Sequence, residues 1–229
     1  MVYVQIILSF IKIMIKNVCF IHVATVGNYQ EIFNQILNYF EESNIYDELD
    51  SVYVNIAGDK NIYIPRITKM KIIAQRANLT DFEFSTMNLI RNYSLENSGN
   101  VLYLHLKGVT ASDNLCIKDH RDYMFYFNIL KFKMCLNFLK EYDAVGVDLS
   151  NEPTKHFSGN IWWSKTQHIN TLINPKHLPL ILTERHKCEF WICSNKDGKY
   201  KSLHQSNINV YERHLHRYPL EKYKIDINL

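Results

Sequence analysis

Two side chains that can bind an anion stand two positions apart at the end of an apolar run. The run covers residues 101–108, and as a strand it places His105 and Lys107 on one face, opposite three leucines. Gly108 and a polar segment follow, at the strand end where open α/β sheets bind ligands. The pair therefore predicts an anion-binding edge. Taken singly, each residue also fits a structural role, as a buried histidine or as the charged end of a strand.

Two more cations follow in the next predicted helix, which we place at residues 118–141. Lys118 and Arg121 would lie in its first turn, where free backbone N–H groups and the helix dipole favour anions. Together with His105 and Lys107, they predict a phosphate or diphosphate site. The alternative is that Lys118 and Arg121 form surface ion pairs with neighbouring aspartates, which contribute little to stability.

A second candidate site is the segment at residues 156–163, which reads His-Phe-Ser-Gly-Asn-Ile-Trp-Trp. Trp162 and Trp163 would face opposite sides of a strand, so we expect one in the core and the other against a neighbouring layer or a flat sugar face. Gly159 permits close approach of a backbone, and Asn160 offers a donor and an acceptor to hydroxyl groups. The structural alternative is that the tryptophan pair belongs to the core.

Glu189 is a candidate general base. It stands between Cys188 and the aromatic pair Phe190 and Trp191. Burial among such neighbours would raise its pKa, which suits removal of a proton from an acceptor hydroxyl. The sequence equally allows a structural role, in which Glu189 only forms an ion pair with Arg185, four residues earlier.

Metal-binding patterns in the sequence are weak. Asp81 and Glu83 have the spacing of an acidic metal pair, but they precede a predicted helix, and charge in the first turn explains them better. His204, His214 and His216 lack the tight spacing of metal ligands. The sequence therefore predicts no metal site.

Alternating strands and helices must position these groups. An apolar run at residues 18–24 is followed by Asn28, which begins a helix with apolar residues at helical spacing, and then by a second run at residues 52–57. Strand, helix and strand in this order predict a parallel βαβ unit and hence an α/β fold. Further expected elements are strand-like backbone and then a helix within residues 62–78, a helix from Ser85 to residue 95, strands at residues 143–149 and 157–163, a helix capped by Ser164 up to residue 173, and a helix-like stretch at residues 184–193.

Composition favours one globular domain in a reducing, cytoplasmic compartment. The chain has 229 residues, 47% of them hydrophobic, and five cysteines without paired spacing. The net charge of +3 is too small to predict a nucleic-acid partner. We divide the chain into an N-terminal extension at residues 1–16 and one domain at residues 17–229 with an irregular C-terminal flap from about residue 195. The extension is apolar enough for weak membrane-surface contact, but the sequence favours an upstream extension, with Met14 as an alternative start.

Six motifs follow one another in an order that resembles a known family. They are His-Val-Ala-Thr-Val-Gly-Asn from His22, Tyr-Leu-His-Leu-Lys-Gly ending at Gly108, Arg-Asp-Tyr-Met-x-Tyr-Phe from Arg121, Tyr-Asp-Ala-Val-Gly-Val from Tyr142, His-Phe-Ser-Gly-Asn-x-Trp-Trp from His156 and Glu-Phe-Trp from Glu189. This order is similar to that in glycosyltransferase-like proteins of bacteria and large DNA viruses, over residues 18–194. The resemblance implies a single-domain GT-A-like fold of nucleotide-diphospho-sugar transferase type, with a mixed, mostly parallel sheet flanked by helices.

The resemblance also implies an activity and a set of site residues. The activity is transfer of a hexose-like sugar from a nucleotide-sugar donor to a hydroxyl of a glycan or protein acceptor, in the host cytoplasm if the chain is viral. The implied residues are His105, Lys107 and Glu189 for catalysis, Gly27, Asn28, Lys107 and Arg121 for the donor, and His156, Ser158, Gly159, Asn160, Trp162, Trp163 and Trp191 for the sugar or acceptor. Leu106 and His120 depart from the family pattern, in which a small polar residue and a tryptophan are common.

The resemblance bears on the metal as well. Most enzymes of this fold hold a divalent cation with Asp-x-Asp where this sequence has His105 and Lys107. Fixed cationic donors would then meet the leaving diphosphate, so no cofactor is expected to be required, with Mn²⁺ or Mg²⁺ as the open alternative.

Two other functions stay open at this level. One is a non-catalytic module that binds a nucleotide sugar or a glycan. The other is a phosphodiester or nucleic-acid enzyme that uses His105 and Lys107, which would require salt-sensitive binding of oligonucleotides that the modest charge does not predict.

Overall fold

The computed structural model describes residues 15–65, 69–111 and 113–224. The strands are β1 (Lys16–Ala24), β2 (Ser51–Ala57), β3 (Met70–Ala77), β4 (Gly99–His105), β5 (Ala144–Gly146), β6 (Leu149–Ser150), β7 (His156–Phe157), β8 (Trp162–Lys165) and β9 (Tyr200–Ser202). The helices are α1 (Tyr29–Ser43), α2 (Ile45–Glu48), α3 (Phe84–Glu96), α4 (Leu115–Phe125), α5 (Phe132–Phe138), α6 (Thr166–Asn170) and α7 (His186–Trp191). Residues 1–14, most of the segment assigned to membrane-surface contact, lie outside the described residues.

Within these residues, seven strands form one sheet in the order β3-β2-β1-β4-β8-β5-β9. Neighbouring strands are parallel except at β8, which runs antiparallel to both β4 and β5. The mixed, mostly parallel sheet flanked by helices is thus confirmed. Because the chain winds outward from β1 to β3 and then returns to place β4 on the other side of β1, the carboxyl ends of β1 and β4 flank a topological switch point.

The two strands beside the switch point are buried on both faces. Along β4, Leu102 and Leu104 pack into one hydrophobic cluster while Val101 and Tyr103 pack into the other, which confirms the predicted alternation. Central strands of a sheet covered on both sides have no solvent face, so they read as continuous apolar runs. This is why β1, β2 and β4 were recognisable from the sequence.

Helices cover the sheet on both sides. On one side, α1, α4 and α5 contribute to the larger cluster, and the predicted stripe of α1 is buried there through Ile32, Phe33, Ile36 and Phe40. On the other side, α3, α6 and the end of α7 contribute to the second cluster. None of the helices in the described part of the chain has the length and apolar character needed to span a bilayer.

The helix predicted at residues 118–141 is different in the structure. It begins earlier, at Leu115, because the Asn114 side chain accepts hydrogen bonds from the backbone N–H groups of Cys116 and Ile117. A π-helical turn, Tyr126–Leu130, then separates α4 from α5. Within that turn the carbonyl oxygen of Asn128 accepts a hydrogen bond from Nε1 of Trp163 at 2.9 Å. A side chain bonded into the helical ladder is a usual cause of such an interruption.

Other boundaries also differ from the predictions. The end of the 62–78 segment is the edge strand β3 rather than a helix, because it pairs with β2. The strand predicted at residues 157–163 is divided into β7 and β8 by a turn. Ser164 does not cap α6, since its hydroxyl donates to the carbonyl oxygen of Asp143 and Lys165 takes the cap position. The segment after Gly198 contributes β9 to the sheet before its path becomes irregular.

Candidate active site

Two cavities meet at Lys107. The first, which we call the switch-point cavity, has a volume of about 500 Å³ and is lined by Ala24, Val26, Glu83, His105, Lys107 and Arg185, among others. The second, the histidine cavity, has a volume of about 240 Å³ and is lined by Lys107, His120, His156, Ser158, Glu189 and Arg213, among others. Lys107 and Ile117 belong to both linings. A ligand that occupies both cavities therefore passes the Lys107 side chain.

The loops after β1 and β4 lie against each other. The backbone N–H of Asn28 donates to the carbonyl oxygen of Val109 at 3.1 Å. Gly27 has a φ of +52°, and a Cβ added there would lie 2.0 Å from the same oxygen, so only glycine fits. Neither Gly27 nor Asn28 belongs to the lining of the switch-point cavity. These two predicted donor-binding residues join the loops that form the cavity.

His105 is buried and holds β4 to the segment after β7. Its Nε2–H donates to the carbonyl oxygen of Gly159 at 2.8 Å, and its Nδ1 lies 3.7 Å from Oε1 of Glu83. Burial lowers the pKa of His105, and the Glu83 charge opposes this effect. His105 borders the switch-point cavity, but its Nε2–H is already hydrogen-bonded to Gly159 and is not available to a ligand.

Lys107 has a fixed backbone and a side chain available to a ligand. Its backbone N–H donates to the carbonyl oxygen of His105 at 2.9 Å, and its own carbonyl oxygen accepts from Nη1 of Arg121 at 3.0 Å. The ammonium group makes no hydrogen bond or ion pair with any described residue. Lys107 therefore places a positive charge between the two cavities.

Arg121 and Lys118 do not belong to the phosphate or diphosphate site that the sequence predicted. Arg121 is buried in the second turn of α4, where its Nε donates to Oε1 of Gln35 at 2.9 Å, and it lines neither cavity. Lys118 is half exposed and pairs with Asp122 at 2.7 Å. The reason for the difference is the earlier start of α4, which moves both residues away from its first free N–H groups.

Glu189 lines the histidine cavity. Its pKa is lowered in the structure, whereas the sequence predicted that burial would raise it. Burial alone raises its pKa, but the positive charges of Lys107, Arg185 and His186 together outweigh burial and hold the pKa below its ordinary value. The sequence revealed the aromatic neighbours of Glu189 and the nearby Arg185, whereas two of the positive groups that act on Glu189, Lys107 and His105, come from a distant segment of the chain.

The histidine cavity has a polar wall built by the segment after β6. The His156 ring donates through Nδ1–H to the carbonyl oxygen of Thr154 at 2.8 Å, and burial lowers its pKa. A neutral ring with its proton on Nδ1 presents a lone pair on Nε2. Ser158 is also buried in this lining. Gly159 has a φ of +87°, and a Cβ there would lie 2.4 Å from Sδ of Met124, so its small size serves packing.

The tryptophans predicted to contact a sugar are in the core. Trp162, Trp163 and Trp191 have no exposed surface, and none lines either cavity. The correction follows from the sheet: helices cover both of its faces, so both members of the Trp pair are enclosed. Asn160 is buried beside them, where its Oδ1 accepts from Nε1 of Trp162 at 3.0 Å.

Three polar residues of the site were not found from the sequence. Glu83 is a buried residue facing His105, with its Oε2 lacking a partner among the described atoms, rather than a solvated first-turn charge. His120 lines the histidine cavity from α4. Arg213, in the irregular C-terminal segment, forms a buried ion pair with Asp148 at 2.5 Å and completes the same wall. No local pattern marks these residues, because each becomes significant only through contacts with distant segments.

No group of three or more His, Cys, Asp or Glu side chains in the described ranges is arranged to hold a metal ion. Asp81 instead pairs with Lys176 at 3.4 Å on the surface. Of the predicted site residues, the structure brings Lys107, His156, Ser158, Gly159 and Glu189 together around one cavity.

Comparison with known proteins gives a family and solved structures of similar fold. The comparison with curated proteins gives no match. The fold is similar to the crystal structure of 4-diphosphocytidyl-2C-methyl-D-erythritolsynthase from Anaerococcus prevotii DSM 20548, with 12% sequence identity and a TM-score of 0.44 over 83% of this chain and 89% of that chain. A family model matches residues 20–209. Because this match extends over most of the sequence, the chain belongs to the family described as Domain of unknown function (DUF8361).

Proposed function

We propose that the chain is a glycosyltransferase, which moves a sugar from a nucleotide-sugar donor to an acceptor hydroxyl of a glycan or protein. The observation that carries the proposal is Lys107, an ammonium group without a protein partner in the described chain, at the junction of two cavities. A diphosphate that joins a nucleotide to a sugar matches this arrangement, because it places its charge between two uncharged parts.

The nucleotide would occupy the switch-point cavity. This cavity lies at the carboxyl ends of β1 and β4, the position at which open α/β sheets bind ligands. The sugar would extend past Lys107 into the smaller histidine cavity, where His156, Ser158 and Glu189 offer hydrogen-bonding groups. The Trp pair has no part in this proposal, because both indoles are enclosed.

In the proposed transfer step, Lys107 and Glu189 each have one role. The acceptor oxygen forms a bond to the anomeric carbon while the bond from that carbon to the diphosphate oxygen breaks. The electron pair goes to the diphosphate, whose developing charge Lys107 stabilises. The proton of the acceptor hydroxyl goes to Glu189, which is ionised because neighbouring cations hold its pKa low. We propose that this step requires no divalent cation.

Calorimetric titration with UDP-glucose, UDP-galactose and GDP-mannose in the presence of EDTA tests the donor site. We expect at least one of them to bind the wild-type chain, and Lys107→Met to weaken that binding by tenfold or more, as for loss of about 1.5–3 kcal/mol in a charged hydrogen bond. Lys118→Met is the matched control, since Lys118 pairs with Asp122 outside both cavities. Equal binding by wild type and Lys107→Met would contradict the proposed role of Lys107.

An activity assay on the same protein distinguishes an enzyme from a non-catalytic binding module. A donor that binds is incubated with a glycan and peptide acceptor panel, and free nucleoside diphosphate is measured by mass spectrometry. Release that depends on Glu189 supports transfer. Tight binding without transfer or slow hydrolysis would instead identify a module that holds a nucleotide sugar.

A further inference from the structure

The histidine cavity contains a polar ring whose Nε2 has no partner in the described chain. His120 is only 6% exposed, it lines the cavity, and its Nε2 is enclosed without a hydrogen bond. An unpaired buried polar group costs about 1–3 kcal/mol of stability. A feature of this cost at the wall of a cavity is explained if a ligand supplies the missing partner.

Packing holds the His120 ring in place. The ring stacks on Tyr123, with centroids 6.4 Å apart and planes 24° apart. The ring also approaches Gly159, where an added Cβ would lie only 3.2 Å from Cε1 of His120. The close contacts limit rotation of the ring toward another protein partner. They favour a ligand that comes to the ring.

The charge state of His120 indicates what kind of ligand group fits. Burial lowers its pKa well below the ordinary value of 6.5, and the positive charges of Arg213 and Lys107 lower it further. A neutral imidazole has one N–H donor and one lone pair. A hydroxyl group both donates and accepts, so it satisfies either ring tautomer, whereas an anion only accepts and satisfies only the tautomer with its proton on Nε2.

Other groups in the same lining have matching chemistry. His156 presents the lone pair of Nε2, because its Nδ1 proton is used by Thr154. Glu189 presents carboxylate oxygens, and Ser158 presents a hydroxyl. The same lining also contains the donors Lys107 and Arg213, so the wall offers both donors and acceptors, which suits a ligand with several hydroxyl groups.

We propose that His120 binds a hydroxyl group of a sugar in the histidine cavity. That this sugar is part of a nucleotide-sugar donor rests on the proposed function. That the ligand carries hydroxyl groups follows from the residues that line the cavity. His120 is thereby a specificity-determining residue.

Binding of two probe panels to the wild-type chain, His120→Phe and His120→Gln tests this inference. The first panel is UDP and GDP with UDP-glucose, UDP-galactose and GDP-mannose, and the second is the methyl glycosides of glucose, galactose and mannose. We expect the sugar-dependent gain in affinity to fall about tenfold in His120→Phe, as for one lost hydrogen bond, while affinity for the bare nucleotides is unchanged. His120→Gln, which keeps an amide donor and acceptor, should recover part of the gain.

Stability and a control variant distinguish binding from a structural role. His120→Phe removes an unpaired polar group, so its melting temperature without ligand should be equal to or above that of the wild type. The control is His168→Phe. His168 is equally buried but donates through Nε2–H to the carbonyl oxygen of Ile192 at 2.8 Å, outside both cavities. This variant should be less stable and keep the full sugar-dependent gain.

Histidine ¹⁵N NMR of the wild-type chain provides the deciding observation. Sugar-bearing probes should shift the ring nitrogens of His120. The inference is overturned if no member of either panel shifts them, or if His120→Phe binds every probe as the wild type does. A third outcome separates this inference from the proposed function. If methyl glycosides shift the ¹⁵N signals of His120 but nucleotide sugars bind no more tightly than methyl glycosides, the sugar site is supported and the glycosyltransferase proposal is contradicted.

Discussion

Nη1 of Arg121 donates a hydrogen bond to the carbonyl oxygen of Lys107 at 3.0 Å. The same guanidinium group donates through Nε to Gln35, which lies on α1. Arg121 therefore connects two helices to the loop after β4. It does not meet the diphosphate in our proposal, but it fixes the backbone from which the Lys107 side chain extends.

Arg121→Met tests this positioning role. The variant loses both hydrogen bonds and leaves the carbonyl oxygen of Lys107, in a partly buried position, without its charged donor, so we expect the free energy of unfolding to fall by about 1–3 kcal/mol. Affinity for the best-bound nucleotide sugar should also fall several-fold. Lys118→Met, on the same helix but half exposed, should change either quantity little. If the two variants behave alike in calorimetry and urea unfolding, Arg121 has no special role.

The pKa of Glu189 should respond to its neighbours. Because Arg185 is one of the cations that hold this pKa down, Arg185→Gln should raise it, and any loss of transfer on acidification should then begin at a higher pH. ¹³C NMR titration of labelled glutamate side chains measures the pKa directly. Lys176→Gln is the control, since Lys176 is on the surface and pairs with Asp81. An unchanged Glu189 titration in Arg185→Gln would contradict the electrostatic assignment.

Stability should decrease as the pH falls below about 6.5, and His22 should account for part of the decrease. Burial lowers the pKa of His22 from 6.5 to about 4, although the Glu83 charge opposes this. The unfolded chain therefore takes up a proton at a higher pH than the folded chain does. Between these values the free energy of unfolding falls with pH, by about 3 kcal/mol in total from this residue.

Urea unfolding at a series of pH values checks this prediction. The free energy of unfolding should depend less steeply on pH in His22→Gln than in the wild type. The control is His216→Gln, because the side chain of His216 is 56% exposed. Parallel curves for wild type and His22→Gln over the range from about pH 6.5 to about pH 4 would refute the prediction.

Trp162→Phe should affect stability and not sugar binding. The variant leaves a cavity in the core and removes the donor to Oδ1 of Asn160, and together these changes should cost roughly 2–4 kcal/mol. The affinity of the folded variant for a nucleotide sugar should match that of the wild type. A selective loss of sugar affinity at unchanged stability would restore the stacking role expected from the sequence.

Gly27→Ala should disturb the contact between the loops after β1 and β4. The new Cβ would lie 2.0 Å from the carbonyl oxygen of Val109 and would stand on a residue with a φ of +52°. We expect lower stability, by about 1–3 kcal/mol, together with weaker nucleotide binding. The matched change is Gly198→Ala, whose Cβ would meet only side-chain atoms at the far side of the sheet. Unchanged nucleotide affinity in Gly27→Ala would remove the loop contact from the proposed donor site.

The parts of the fold predictable from sequence are those set by local pattern. The apolar runs gave β1, β2 and β4. Strand alternation predicted that His105 and Lys107 share one face, but β4 ends at His105 and Lys107 lies in the turn after it, and both residues border the switch-point cavity. The same alternation correctly placed Trp162 and Trp163 on opposite faces, but it contained no information about the helices that cover both faces. A stacking site was therefore inferred where the structure has two core residues.

The parts of the site that escaped prediction depend on contacts between distant segments. His120 and Arg213 reach the same cavity wall from positions 93 residues apart. Glu189 stands in the expected place, but the direction of its pKa shift depends on Lys107, which is far from it along the chain. Side-chain chemistry was thus predictable at single positions, while the electrostatic environment required the assembled fold.

In the seven-stranded sheet of the described chain, β8 runs antiparallel to both of its neighbours, and this has a consequence for folding. β4, which leads into Lys107, pairs on one side with β1, where Lys16 faces Gly99, and on the other with β8, where Asn100 faces Lys165. Both pairings join segments that are roughly 60 residues or more apart, and such non-local contacts form slowly. During synthesis, β4 has an unpaired edge until β8 has emerged. A truncated chain that lacks β8 would expose this apolar edge, and we expect it to aggregate rather than remain monomeric.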